Sequence, residues 1–484
     1  MDGKRVFGET METLNGCAPG SVLELTVAGP AHGGWCVARA AGQPDAAALG
    51  STALGSTAPG NTVLGSTAPG STGEGEPGDG AGPGKVVFVR HALPGERVRA
   101  RVTSSTARFA RADAIEVLDA SPGRVEPPCR YAHPGGCGGC DLQHASPAAQ
   151  RAIKAQVISE QLRRIAGIDR DVEVAALPEP AGPGGPGSAG TGTGDAGTGG
   201  AGLGWRTRVG FAVRPDGTAG LRRHRSREVV AVDDCLIAHP LVREADVPGS
   251  RWPGARGVEV TVSPGSGERS VLVTARGRAG QRRAGQQRAG QPGPRPLTQH
   301  AVGRAWRVSP GVFWQVHPAA AEVLTGAVLA ALRPEPGDVA LDLYCGAGLF
   351  AGALAAAVGV GGKVTAIESQ AAAVRDARKN LAGFPQVRVH RGDAAEVLGR
   401  HGPGGAGLAV LDPPRAGATA GLVELLAGPA SGLRRVAYVS CDPATLARDI
   451  ALFAGLGWQL ADLRGFDAFP MTHHVECLAT LIPG

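Results

Sequence analysis

The chain has 484 residues, too many for one hydrophobic core and enough for two or three domains. Its 49 Lys and Arg against 43 Asp and Glu give a net charge of +6, which permits a polyanionic partner without proving one. No charged-then-apolar leader is present, and no apolar run nears the roughly 18 residues of a membrane span. A soluble, cytoplasmic monomer without membrane contact or an obligate protein partner is therefore expected. In such a chain the nine cysteines point to metal binding or catalysis rather than to disulfides.

The N-terminal third reads as short strands: SVLELTVAG, GGWCVARA, KVVFVRHA, GERVRARVT and ADAIEVLDA. Five such runs with Gly-rich turns predict a small β-barrel of the OB type, a frequent nucleic-acid platform. Three segments lack the apolar residues needed to offset ordering entropy and are expected to be disordered insertions. They are residues 43–84, which include the degenerate Gly/Ser/Thr/Ala/Pro repeat from Ala48 to Thr72, then 179–204, and 278–296 with its basic RAGQ repeat.

Between them, CRYAHPGGCGGCDLQH places Cys129, Cys137 and Cys140 in a C-x7-C-x2-C spacing, and VDDCLIAHP offers Cys235 as a fourth thiolate. Glycines between ligands let the backbone curl around a metal. Tetrahedral zinc and a four-iron four-sulfur cluster both fit this donor set, and zinc is the commoner structural metal. His133, His144 and His239 lie nearby as alternative ligands. A helix is expected from Ser146 to Ile165, then strands from Trp205 to Val232. Arginines concentrate in LRRHRSRE (Leu221 to Glu228) and from Arg251 to Arg307.

From about Pro334 the pattern changes. DVALDLYCGAG, KVTAIES, VRVHRGDA, GLAVLDPPR and RRVAYVSCDP are apolar runs of strand length separated by helical segments, which predicts a doubly wound parallel sheet. WQLADLRGFDAFP and HHVECLATLI are expected to close it as an antiparallel pair. Ligands bind outside the carboxyl ends of such strands. Gly346, Gly348, Glu368, Asp393, Asp412 and Cys441 all follow strand ends, and Glu476 opens the last strand at the same edge. The glycine turn with Glu368 twenty-six residues after Asp342 suits a nucleoside cofactor. With neither G-x-G-x-x-G nor a G-K-[ST] ending, S-adenosylmethionine fits better than NAD or ATP. LDPPR has Arg415 where amino-group methyltransferases carry a base-stacking aromatic, so a nucleic-acid amino-methyltransferase is the weaker reading. A cysteine suits a carbon target instead: a thiolate adding to carbon 6 of uracil makes carbon 5 nucleophilic.

VSCDPATLARD, DLYCGAG, LDPPRAG and FPMTHHVE together resemble the bacterial RNA uracil-5 methyltransferase family, and GERVRARV with its preceding strands resembles that family's TRAM domain. The resemblance implies an α/β, Rossmann-like class I methyltransferase domain over residues 311–484. Before it come an OB-like TRAM barrel over 1–123 and a small central α+β domain over 124–310 that binds RNA and an iron–sulfur cluster. It implies Cys441 as nucleophile, Glu476 as base, and Gln315, Tyr344, Glu368, Asp393 and Asp412 as S-adenosylmethionine contacts. It also shifts the metal from zinc to a 4Fe-4S cluster, and the RNA to 23S rRNA ahead of tRNA. Two positions depart from the family pattern: Leu349 and His317 stand where asparagine is frequent. A non-catalytic RNA-binding iron–sulfur protein is the remaining rival. The other thiols, Cys17, Cys36, Cys345 and Cys477, are expected to be packing residues.

Overall fold

A computed structural model describes residues 17–40, 85–179, 202–276 and 294–484. Almost all of the three expected insertions therefore lies outside the described residues. Their edges differ from expectation. Leu203 packs against Trp205 and Ile237, and the Arg295 amide donates to Ser270 Oγ at 3.3 Å, so residues 202–204 and 294–296 are folded because each has a neighbour to cover it.

The first five strands, β1 (Val22–Ala31), β2 (Trp35–Ala40), β3 (Val86–Arg90), β4 (Arg97–Ser105) and β5 (Phe109–Asp119), close into a barrel in the order β1-β2-β3-β5-β4. In β4, Arg97, Arg99 and Arg101 face solvent while Val98, Ala100 and Val102 are buried, the period of two that a half-buried strand imposes. Helix α1 (Pro147–Gln161) starts where Ser146 Oγ accepts from the Ala149 amide and Pro147 occupies the first turn. It is followed by a π-turn over Leu162–Ala166 and by β6 (Val174–Ala176).

A second antiparallel sheet, in the order β11-β10-β7-β8-β9, is built from β7 (Arg208–Val213), β8 (Ala219–Arg222), β9 (Val229–Ala231), β10 (Ala255–Ser263) and β11 (Glu268–Ala275), with the short helix α2 (Pro240–Arg243) beside it. The hairpin β12 (Leu297–Ala301) and β13 (Arg304–Val308) leads into α3 (Ala320–Leu332).

The remaining chain alternates: β14 (Val339–Leu343), α4 (Leu349–Val358), β15 (Lys363–Glu368), α5 (Ala371–Asn380), β16 (Val387–Arg391), α6 (Ala394–His401), β17 (Leu408–Leu411), α7 (Ala420–Ala427), β18 (Arg435–Ser440), α8 (Pro443–Gly455), β19 (Trp458–Asp467) and β20 (Glu476–Pro483). These form the sheet β16-β15-β14-β17-β18-β20-β19-β6, parallel from β16 to β18 with β20 antiparallel to both β18 and β19. This is the doubly wound arrangement expected. The eighth strand is a finding: β6 pairs parallel to β19, and α1 packs its Ile158 into the core under the sheet. No helix among the described residues is long and apolar enough to cross a membrane.

Candidate active site

The carboxyl edge of the sheet opens onto a cavity of about 840 Å³, within the size of small-ligand sites. Gln315, Tyr344, Gly346, Glu368, Asp393, Asp412, Cys441 and Glu476 all line it. Local geometry explains how each arrives. Tyr344 and Gly346 have φ of +65° and +55°, turning the chain sharply away from β14. Glu368 then reaches back, its Oε2 accepting from the Gly346 amide at 3.1 Å and its Oε1 from the Gln370 amide at 2.7 Å. Asp393 caps α6, taking the Ala395 and Glu396 amides on Oδ1.

Gly348 is absent from the cavity wall. Its φ of +93° begins α4, and a Cβ there would lie 2.8 Å from Leu381, so it serves the turn and the packing behind it. The two departures from the family pattern do not line the cavity either. Leu349 is buried in the apolar core. His317 is buried and stacks on Trp205 with ring centroids 6.0 Å apart.

Cys441 follows β18 and precedes the cap of α8. The amides at the start of α8 are taken by Asp442, whose Oδ1 accepts from Ala444 and Thr445 at 3.0 Å. They do not serve the thiol, because the carboxylate one residue on reaches them first. Burial, then the nearby Glu476 carboxyl, push the Cys441 thiol up to about 11, opposed by Arg415. Burial raises Asp412 to about 7. Glu476, 3% exposed, is pushed well above the carboxylate range by burial and then by Asp412. Two buried carboxyls facing each other cannot both ionise cheaply, so the pair holds a proton near neutrality.

Side chains that the sequence pattern did not assign complete the wall: Phe313, Trp205, Phe469, Thr472, Arg415 and His474. Arg415 enters the sequence reading only as a missing aromatic; here it donates to His474 Nε2 at 3.1 Å. Burial, His473 and Arg415 hold His474 down to about 3, so it is neutral at physiological pH. LDPPR and HHVE carry both residues and are the signal that finds them.

A second cavity of about 50 Å³ is lined by Cys129, Cys137, Cys140 and Cys235. No group of three or more His, Cys, Asp or Glu among the described residues is positioned to hold a metal ion. The two observations differ because four thiols around one space need not converge on one point; the shared cavity is the better guide to a donor set. His133, His144 and His239 do not line it: His133 Nδ1 bonds the Pro134 carbonyl, His144 Nε2 the Ala92 carbonyl, and His239 caps α2. Cys36, Cys345 and Cys477 are buried, as packing residues would be.

A model of the tRNA (uracil-5-)-methyltransferase family matches residues 407–482, and a TRAM-domain model matches residues 72–115. An RNA methyltransferase of Streptomyces avermitilis is 49% identical, over 83% of this chain and 93% of that protein. The 23S rRNA (uracil(1939)-C(5))-methyltransferase RlmD of Acidithiobacillus ferrooxidans is 33% identical, over 82% of this chain and 92% of that protein. The chain belongs to the RNA uracil-5 methyltransferase family. As a member of that family it is an enzyme that methylates carbon 5 of uridine in RNA with S-adenosylmethionine. Among solved structures, the Pyrococcus abyssi tRNA (uracil-54, C5)-methyltransferase in complex with S-adenosyl-L-homocysteine superimposes with a TM-score of 0.58 at 22% identity, over 82% of this chain and 96% of that one, a likeness of fold.

Proposed function

We propose that Cys441 and Glu476 divide this reaction between them. The Cys441 thiolate adds to carbon 6 of a flipped uridine, and the electron pair displaced onto the ring makes carbon 5 nucleophilic. S-adenosylmethionine supplies an electrophilic methyl group when bound. Glu368, Gln315, Tyr344 and the close backbone approach at Gly346 would hold its nucleoside and amino-acid parts, with Asp393 at the adenine end. After transfer, carbon 5 carries both the methyl group and its original proton. A base removes that proton, the carbon–sulfur bond breaks, and the Cys441 thiolate leaves as the ring double bond returns.

The observation that carries this reading is one cavity holding Cys441, Glu476, Asp412 and Arg415 together with the cofactor residues. The Asp412–Glu476 pair suits the base role because proton transfer is fastest from a group poised near the working pH. Asp412 lies at about 7, and burial first and the Asp412 carboxyl second keep a proton on Glu476 until substrate alters the balance.

The RNA is 23S rRNA rather than tRNA. Support comes from the RlmD relatives of Acidithiobacillus ferrooxidans and Pseudomonas putida, each aligned over nine-tenths of its length. Cys129, Cys137, Cys140 and Cys235 would hold a 4Fe-4S cluster. The four thiols share one cavity, and the family resemblance favours a cluster there over a single zinc. The cluster's part is structural, since methyl transfer by this route needs no electron. The site would act in the cytoplasm, where ribosomal RNA is.

The test pairs two variants with an RNA map. Cys441→Ala abolishes methylation and any covalent RNA complex. Glu476→Gln still attacks and methylates but accumulates a denaturant-resistant adduct, its turnover falling about 10²–10⁴-fold. Mapping 5-methyluridine in a deletion strain shows a lost mark in 23S rRNA; a mark lost from tRNA overturns the substrate assignment.

A further inference from the structure

The loop from Ala468 to Val475 brings His474 to the cavity and delivers Glu476 at the start of β20. It is held only in part from within, where Thr472 Oγ1 donates to the Phe469 carbonyl at 2.8 Å and accepts from the His474 amide at 3.2 Å. Met471 has φ of +67°, a conformation that a side-chain-bearing residue keeps only when its surroundings impose it. The restraint comes from distant segments. The Asp141 and Leu142 amides both donate to the Met471 carbonyl at 3.0 Å. The Met471 amide donates to Gln150 Oε1 at 2.7 Å, and Lys154 Nζ donates to the Phe469 carbonyl at 3.0 Å.

At the centre lies the Asp141 carboxylate, 6% exposed. Its Oδ2 accepts from His473 Nδ1 at 2.6 Å and from the His473 amide at 3.3 Å. Its Oδ1 faces Arg90 Nη2 of β3 at 3.2 Å and His224 Nδ1, between β8 and β9, at 3.8 Å. Gly34 in the β1–β2 turn sits so close that a Cβ there would lie 2.9 Å from the Asp141 Cβ. One carboxylate therefore ties the barrel, the central sheet and the thiol loop to the segment that carries the base.

We propose that Asp141 is a positioning residue for the elimination half of the reaction: it fixes the His473–Glu476 segment so that the base meets the carbon 5 proton. The proposal rests on Glu476 being that base. It concerns elimination alone because Cys441 stands on a different support. The turn from β18 into α8 is held by Ser440 and Asp442, with the Asp442 amide donating to Ser440 Oγ at 3.2 Å and Asp442 Oδ2 lying 3.4 Å from His32 Nε2 in the β1–β2 turn; none of these contacts is made by Asp141 itself. Loosening the loop displaces the base and leaves the nucleophile in place.

The test uses the full chain with S-adenosylmethionine and an rRNA fragment, comparing Asp141→Asn, His473→Gln and Glu476→Gln. Asp141→Asn keeps the shape of the side chain and removes its charge. Turnover should fall about tenfold while the KM for RNA stays within about twofold, and the denaturant-resistant adduct should rise at least about threefold, as for partial loss of a general base. His473→Gln cuts the same link from the other side. It should reproduce this pattern, and the double variant should be no worse than either single one, because coupled residues are not additive. A merely structural role lowers adduct and turnover together, in proportion to the folded fraction, and that result overturns the proposal, as does wild-type turnover in both single variants. If Glu476→Gln itself accumulates no adduct, the assignment of the base has failed instead. Adduct in Glu476→Gln but in neither other variant refutes the role of Asp141 and leaves the base standing.

Discussion

Cys441 opens onto a cavity of about 840 Å³ at the end of a buried strand, whereas Cys129, Cys137, Cys140 and Cys235 surround about 50 Å³ on loops and strand ends of the central region. The proposed function puts the same side chain to opposite uses, and what stands around each thiol differs accordingly. At the sheet edge the backbone is fixed by parallel pairing on one side and by β20 on the other, so the thiol can be left accessible without losing its position. In the thiol pocket the cysteines sit outside the named strands, with one isolated bridge from Cys137 to Arg223. Burial dominates there, pushing Cys140 above its ordinary value and Cys235 to about 11, so these thiols remain protonated unless a metal takes the proton's place. A regular scaffold buys accessibility, and in the proposed function the irregular one is tied together by its metal.

Crossed substitutions test that contrast most sharply. Cys441→Ser should abolish methylation yet move stability by less than about 0.5 kcal/mol, as for a side chain outside the packed core. Cys235→Ser should do the reverse: iron per chain falls, and the free energy of unfolding drops by about 2 kcal/mol or more through loss of a metal site. The variants are read by metal analysis, calorimetry and methyl transfer; equal loss of activity with equal loss of stability in both would erase the distinction.

A buried ion pair outside both cysteine sites, whose loss leaves both thiol environments intact, comes next. Lys154 Nζ lies 2.6 Å from Asp467 Oδ1, and the lysine side chain is 0% exposed. Burial lowers the lysine's pKa and Asp467 opposes this, so the ammonium depends on its partner. Lys154→Ala leaves a buried carboxylate unpaired and should cost about 3–5 kcal/mol by denaturant titration. Lys154→Met with Asp467→Leu should recover most of that loss.

The smallest effect concerns proton affinity. A thiol raised to about 11 is almost wholly protonated at neutral pH, so the reactive anion increases as pH rises. Iodoacetamide labelling of Cys441, followed by peptide mass mapping, should be slow at pH 7 and accelerate about tenfold per pH unit up to pH 9. A rate that levels off near pH 7 would mean the free enzyme already holds a thiolate.

The catalytic edge was legible because it follows from strand direction alone. Once β14 to β18 are read as parallel, Glu368, Asp393, Asp412 and Cys441 must gather at one end, and an antiparallel β20 adds Glu476. The thiol set was legible from the close spacing of Cys137 and Cys140, with Cys235 supplied as the thiol still needed. What the sequence hid are ties between remote segments. Asp141 and His473 are 332 residues apart, and no local pattern links them. Gly348 shows the converse limit. Its place in the glycine turn marks it as a ligand contact, but only the neighbouring Leu381 reveals that it is needed for packing.

The pairing of β6 with β19 also bears on how the protein is made. Lys154 and Asp467, the buried pair beside that junction, are 313 residues apart in the chain. During synthesis α1 and β6 emerge long before the strands they cover, and Ile158, Leu162 and Val174 stay without a core until residues near 467 leave the ribosome. At 5–20 residues per second, roughly, that wait lasts on the order of 15–60 seconds. Nascent chains halted before β19 therefore present the uncovered face of α1 and an unpaired strand to chaperones.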